Sequence, residues 1–160
     1  MSYRERIIGF SRGDNLHAFW FLFFKRKKTK RRLIKDVLAF LCCRSAHKHG
    51  GYIGIDAVIE NIPSLPHGLH GIYISRYSRI GPSCRIYQNV TIGESGQKAP
   101  QIGKNCLIGA GAIIIGDITI GDNVKIGAGA VVFSDIPDNS TVVSQAPRIL
   151  TKESEGEKNA

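Results

Sequence analysis

Between Cys106 and Val132 the chain reads CLIGAGAIIIGDITIGDNVKIGAGAVV, with isoleucines at 108, 114, 120 and 126 and Val132 continuing the series. The step is six residues. An amphipathic helix repeats about every 3.6 residues and a half-buried strand every two, so neither alone produces this pattern. The same step appears earlier, in Ile53, Ile59 and Leu65, and again in Ile74, Ile80, Ile86 and Ile92, and the final run begins at Ile102. These thirteen units form three runs, separated by longer steps from Leu65 to Ile74 and from Ile92 to Ile102. Glycine often follows the aliphatic residue, and four places after it stands a small or branched residue such as Ala57, Cys84, Cys106, Ala112 or Ala130.

A period of six describes a solenoid. Each hexad supplies one short strand and one corner, with the aliphatic residue and the one four later pointing inward. Three strands close a triangular coil of about eighteen residues, and coils stack about 4.8 Å apart with Ile on Ile. The spacing predicts an all-β solenoid over 51–137, preceded by a basic, partly helical segment at 1–50 and followed by a C-terminal extension and polar tail at 138–160. The spacing does not set the hand of the coil.

Charge divides the chain in the same place. Of the 22 Lys and Arg, 13 lie in residues 1–50 against 3 Asp and Glu; residues 51–160 hold 9 against 10. The basic character belongs to one segment, centred on KRKKTKRR at 25–32. Ile34, Val37, Leu38 and Leu41 follow helical spacing and predict an amphipathic helix over 33–44. An aromatic run, AFWFLFF at 18–24, precedes the basic block. It is too short to span a membrane and lacks the flanks of a signal peptide. The segment 16–44 is expected to pack on the coil with its basic flank in solvent, or to touch an anionic membrane surface. No recognition motif accompanies the charge, so nucleic acid is not expected as a partner. The cysteines at 42, 43, 84 and 106 lack metal-ligand or redox spacing and read as free thiols in a reducing cytoplasm, or at the inner face of its membrane.

The motifs IGAGA and IGDNVKIGAGAVV, and the closing IPDNSTVVSQAPRIL, resemble the hexapeptide-repeat acyltransferases. LPHGLHGIYIS (65–75) with CRIYQNVTIG (84–93) is similar to the serine O-acetyltransferase branch, especially its short members from polysaccharide gene clusters. The resemblance covers about 53–150. It implies a left-handed parallel β-helix, a homotrimer, and acetyl-CoA bound as acyl donor in grooves between subunits, with no metal. The activity implied is acetyl transfer to a hydroxyl of a small-molecule acceptor, L-serine foremost, which is a step toward cysteine. A sugar or glycan precursor is the alternative acceptor. A metal hydrolyase on the same scaffold would need three His from neighbouring coils, and no His follows His70.

Counting hexads in threes places Leu65, Ile86, Ile108 and Ile126 on one face. Two residues into each come His67, Gln88, Ala110 and Ala128. His67 is the candidate general base, since a neutral imidazole takes an alcohol's proton near pH 7, and the resemblance assigns that role to the matching His. His70 is the weaker candidate, and His47 and His49 are expected to be incidental. By the same resemblance Ala110 and Ala128 match positions whose backbone contacts CoA, Phe133 and Ser134 match the nucleotide end, and Arg148 matches a basic residue near CoA phosphate. Departures from the branch are equally specific. Its Asp partner, fifteen residues before the His, is here Tyr52, with Asp56 and Glu60 out of register. Its second His, before a Pro, is here Lys98 in Lys98-Ala99-Pro100. Its glycine pair is Gly93-Glu94. Its large helical N-terminal domain is replaced by about fifty basic residues, and KESEGEKNA does not end in the Ile used for docking to a cysteine-synthesis partner.

Overall fold

A computed structural model describes residues 15–146. Two helices, α1 (His17–Lys28) and α2 (Arg32–Lys48), precede thirteen short strands. The strands are β1 (Tyr52–Ile53), β2 (Val58–Ile59), β3 (Tyr73–Ile74), β4 (Arg79–Ile80), β5 (Arg85–Ile86), β6 (Thr91–Gly93) and β7 (Gln101–Ile102). They continue with β8 (Leu107–Ile108), β9 (Ile113–Ile115), β10 (Thr119–Ile120), β11 (Lys125–Ile126), β12 (Val131–Val132) and β13 (Thr141–Val142).

Every pairing between these strands is parallel, and they form three sheets: β1-β3-β6-β9-β12, β2-β4-β7-β10 and β5-β8-β11-β13. Sequential strands pass from one sheet to the next, so the chain winds as a three-sided parallel β-helix. The register is the sixfold step made visible. Ile74 sits on Ile92, Ile92 on Ile114, and Ile114 on Val132. Ile80 sits on Ile102 and Ile102 on Ile120, while Ile86 sits on Ile108 and Ile108 on Ile126. These residues are buried, and so are Ala57, Cys84, Val90, Cys106, Ala112, Val124 and Ala130, the second inward series. The Cys84 and Cys106 thiols reach the carbonyls of Gly103 and Gly121 in the next coil, and all four cysteines are free.

Two corners carry left-handed backbone, each solved by a different residue. One is turned by Ser83, Asn105, Asn123 and Asn139, all at φ near +60°. Asn adopts this region at low cost, and here the side chains form a ladder, Asn105 Nδ2 donating to Asn123 Oδ1 (2.9 Å) and Asn123 Nδ2 to Asn139 Oδ1 (3.0 Å). The other corner is turned by Gly71, Asn89, Gly111 and Gly129, and it leaves little side chain over the backbone.

The coil continues beyond residue 137. Ile136 bridges to Ile120, and β13 pairs with β11, so Val142 sits on Ile126. The step from Val132 to Ile136 is four residues, a shortened corner that breaks the six-count. Leu65, conversely, is not in a strand. Its place in the stack is kept by one bridge, Ser64 to Arg85.

The helices close the first coil. Phe19, Trp20 and Phe23 of α1 form edge-to-face and tilted ring pairs and join Ile53 and Ala57 in one continuous core. Inter-coil bonds run both ways, as in Gly54 N to Ile74 O (2.8 Å) and Gly71 N to Gly50 O (2.8 Å), and the first coil has no earlier coil to pair with its outer edge. Side chains from α1 satisfy it. Arg26 Nη1 donates to Ile55 O (2.8 Å) and to the Asp56 carboxylate (3.0 Å), and Lys27 Nζ donates to Ala57 O (2.6 Å). Part of the basic block expected in solvent is thus structural. Arg26→Ala leaves the Ile55 carbonyl bare and is expected to cost about 2 kcal/mol, seen as a lower urea midpoint.

The sixfold reading of the coil holds, but the expected face of α2 does not. Of Ile34, Val37, Leu38 and Leu41, only Leu38 is buried. The face that packs is Leu38, Cys42 and Ala46, three residues at steps of four, two of them small enough for close helix contact. Burial pushes the Cys42 thiol up to about 12, as expected for a thiol held in apolar surroundings.

Candidate functional site

The corner after β5, β8 and β11 is where the candidate residues meet. Gly111 N donates to Gln88 O (3.0 Å) and Gly129 N to Ala110 O (2.9 Å), so Gln88, Ala110 and Ala128 occupy successive coils of one column. Gly109 explains how tightly these corners stack, since a Cβ there would stand 2.6 Å from Ala128 N. His67 lies below them in the turn 66–71. Its ring is exposed. Nδ1 meets Gln88 Oε1 at 2.8 Å, and the ring lies edge-on to Tyr87, with centroids 6.0 Å apart. From His67 to Ala128 the column spans three coil steps, roughly 14 Å.

That contact has a chemical consequence. With the amide oxygen facing the ring, Nδ1 is the donor in this contact and Nε2 is left as the basic nitrogen. Sequence reasoning put Gln88 in the His67 column and gave it no role. The signal was the register itself, since 21 residues separate the pair along the chain.

The other candidates fall elsewhere. Phe133 and Ser134 follow β12 at the far edge of its sheet, both exposed, Phe133 at 76%. Arg148 lies outside the described residues. The carboxylates considered for His67 are engaged by arginines: Asp56 with Arg26 (3.0 Å) and Arg76 (3.2 Å), and Glu60 with Arg79 (2.5 Å). Tyr52, in the family's Asp register, sits on the outward side of β1. Lys98 is paired with Asp117, which holds its ammonium pKa up. Glu94 accepts a hydrogen bond from the Ser75 hydroxyl. His70 sits three residues past His67, its ring beside Gly50 at the end of α2.

The outward columns of the three sheets differ. On the sheet that starts at β1 the stacked outward residues are Tyr52, Tyr73, Thr91, Ile113 and Val131. On the sheet that starts at β5 they include Arg85, Leu107, Lys125 and Thr141. The His67 corner lies between this polar face and the apolar one.

The profile of the bacterial transferase hexapeptide family (six repeats) matches residues 99–134. The chain is 38% identical over 148 residues to serine acetyltransferase of Staphylococcus xylosus, covering 86% of this chain and 65% of that protein. It is 36% identical to the enzyme of Staphylococcus aureus (strain Mu50), with 86% and 66% covered. The chain therefore spans just under two thirds of the length of these curated relatives. Among solved structures, Neisseria gonorrhoeae serine acetyltransferase in complex with serine superposes with a TM-score of 0.65 at 38% identity, covering 69% of this chain and 46% of that one. Serine acetyltransferase isoform 3 of Entamoeba histolytica in complex with cysteine gives 0.63 at 34%, covering 75% and 46%. The fold is the left-handed parallel β-helix of these acetyltransferases.

Proposed function

The chain is a hexapeptide-repeat protein similar in sequence and fold to the serine acetyltransferases, and from that premise we propose that it transfers acetyl from acetyl-CoA to a hydroxyl of a small acceptor, L-serine first. The observation that carries the reading is His67, exposed at the start of the Gly/Ala corner with Nε2 free to act. His67 Nε2 takes the proton of the acceptor hydroxyl as its oxygen attacks the thioester carbonyl. The tetrahedral oxyanion needs fixed donors. As it collapses the C–S bond breaks, and the imidazolium returns the proton to the departing CoA sulfur. Ala110 and Ala128 keep the column shallow enough for an extended thioester arm to lie against backbone. Phe133, Ser134 and Arg148 are the proposed contacts at its nucleotide end. This chemistry calls for no metal.

Gln88 belongs to this proposal as a positioning residue. It fixes the His67 tautomer with a neutral acceptor where the branch uses a carboxylate. Gln88→Leu is expected to lower kcat about ten- to a hundredfold with KM little changed. Gln88→Glu places a negative charge on Nδ1–H and moves the acid limb of the rate–pH profile to higher pH. An unmoved limb would show that this contact does not tune the base.

A homotrimer completes the reading. In the column Tyr52, Tyr73, Thr91, Ile113 and Val131, all but Thr91 aromatic or aliphatic, Tyr52, Tyr73 and Val131 are exposed. A second copy against that sheet would give the His67 corner its other wall.

The acceptor is tested by thiol release from acetyl-CoA with L-serine against a panel of sugars. Serine-dependent release supports the first reading. Release only with a sugar supports a glycan precursor, a reading favoured by Lys98, which takes the place of the branch's second His and is tied to Asp117.

A further inference from the structure

The helix α2 has two apolar faces, and the coil uses one. Leu38, Cys42 and Ala46 pack inward. Leu33, Ile34, Val37, Phe40 and Leu41 lie on the opposite side, at 77%, 43%, 51%, 66% and 42% exposure. At 100° per residue these five fall within one stripe about 120° wide. A shallow groove continues the stripe between the helices, lined by Leu22, Leu41, Arg44 and Lys48.

The charge around this stripe has one sign. Residues 15–48 carry ten Lys and Arg against a single acid, Asp36. Arg26 and Lys27 are committed to the first coil. Most of the others cluster at the turn between the helices and at the start of α2, with Arg44 and Lys48 at its end. An apolar stripe flanked by cations lies flat in a bilayer interface, with side chains in the acyl boundary and ammonium and guanidinium groups at anionic headgroups. Among the described residues no helix is long and apolar enough to cross a membrane, so the contact is peripheral.

We infer that the outer face of α2 docks this protein on an anionic lipid surface. The inference is independent of the acetyl-transfer reading, since none of the stripe residues lies at the His67 corner.

The test is co-sedimentation of the full chain with phosphatidylcholine vesicles, with and without phosphatidylglycerol. The protein is expected to pellet with the anionic vesicles, to remain in the supernatant with phosphatidylcholine alone, and to be partly released by salt. Val37→Glu/Phe40→Glu alters only exposed positions. It is expected to melt like the parent, to keep the same elution volume on size exclusion, and to partition at least about tenfold more weakly. No pelleting of the parent with anionic vesicles overturns the inference, as does unchanged pelleting of the double variant. A double variant that changes its elution volume would assign the face to contact between copies of the chain, and that result also overturns it.

Discussion

His67→Ala is expected to lower kcat for acetyl transfer by about 10² to 10⁴, the range for loss of a general base, while acetyl-CoA still binds. The side chain is exposed and its ring contacts are with Gln88 and Tyr87 at the surface of the turn. Truncation therefore opens no core cavity, and the stability change should stay within about 0.5 kcal/mol. This separates chemistry from folding in one variant. His70→Ala is the companion, expected to remain within about threefold of the parent, because the ring that meets Gln88 Oε1 is that of His67, while the His70 ring stands beside Gly50. The measurement is steady-state thiol release with a saturating acceptor, beside a melt of each variant. A His67→Ala rate within tenfold of the parent would remove His67 from the base role. A large loss in His70→Ala alone would move that role three residues along the loop.

The second large effect is on stability. Ile113, Ile114 and Ile115 are consecutive in β9, yet only Ile114 points inward, fully buried between Ile92 and Val132 of the adjacent coils. Ile114→Ala is expected to cost about 2–5 kcal/mol, a transfer loss plus a cavity that stacked coils cannot collapse around. Ile115, 39% exposed on the same strand, should cost less than about 1 kcal/mol when replaced by Ala. Urea unfolding of the two variants checks the contrast. Similar midpoints would mean that the inward and outward sides of β9 are wrongly assigned.

The coil was legible because its interior admits one kind of residue at fixed intervals. Each of Ile74 through Val132 in the six-step occupies the inward seat of a strand. The count failed where a corner changed length. Ile136 and Val142 escaped it because the corner before Ile136 is two residues short, and Leu65 kept its place without forming a strand. The helical segment was less legible. Periodicity in α2 found an apolar stripe, but two stripes are present and the sequence does not say which one meets the coil. The packing stripe is built from Leu, Cys and Ala, and close approach rather than hydrophobicity selects it. The aromatic run 18–24 gave no period because α1 buries Phe19, Trp20 and Phe23 while Phe21 is exposed. At the site, register stacks Gln88, Ala110 and Ala128 in one column, with His70 O accepting from Asn89 N beneath them, and His67 reaches Gln88 from the same loop. The choice of Gln88 as the partner of the imidazole depends on side-chain reach, which no spacing rule contains.

The repetition of inter-coil hydrogen bonds sets a boundary condition on the whole molecule. Each coil bonds the one before it and the one after it, so a stack of such coils ends in unpaired edges, and nothing inside it dictates how many layers it should have. A bare pole of parallel strands is a template on which another polypeptide can add, the geometry from which fibres grow. At the first coil, carbonyls that an incoming strand would meet are taken by Arg26 and Lys27 of a helix, which cannot itself pass the ladder on. The helical hairpin thus acts as a terminator, keeping a periodic scaffold finite and free of head-to-tail polymerisation at that end.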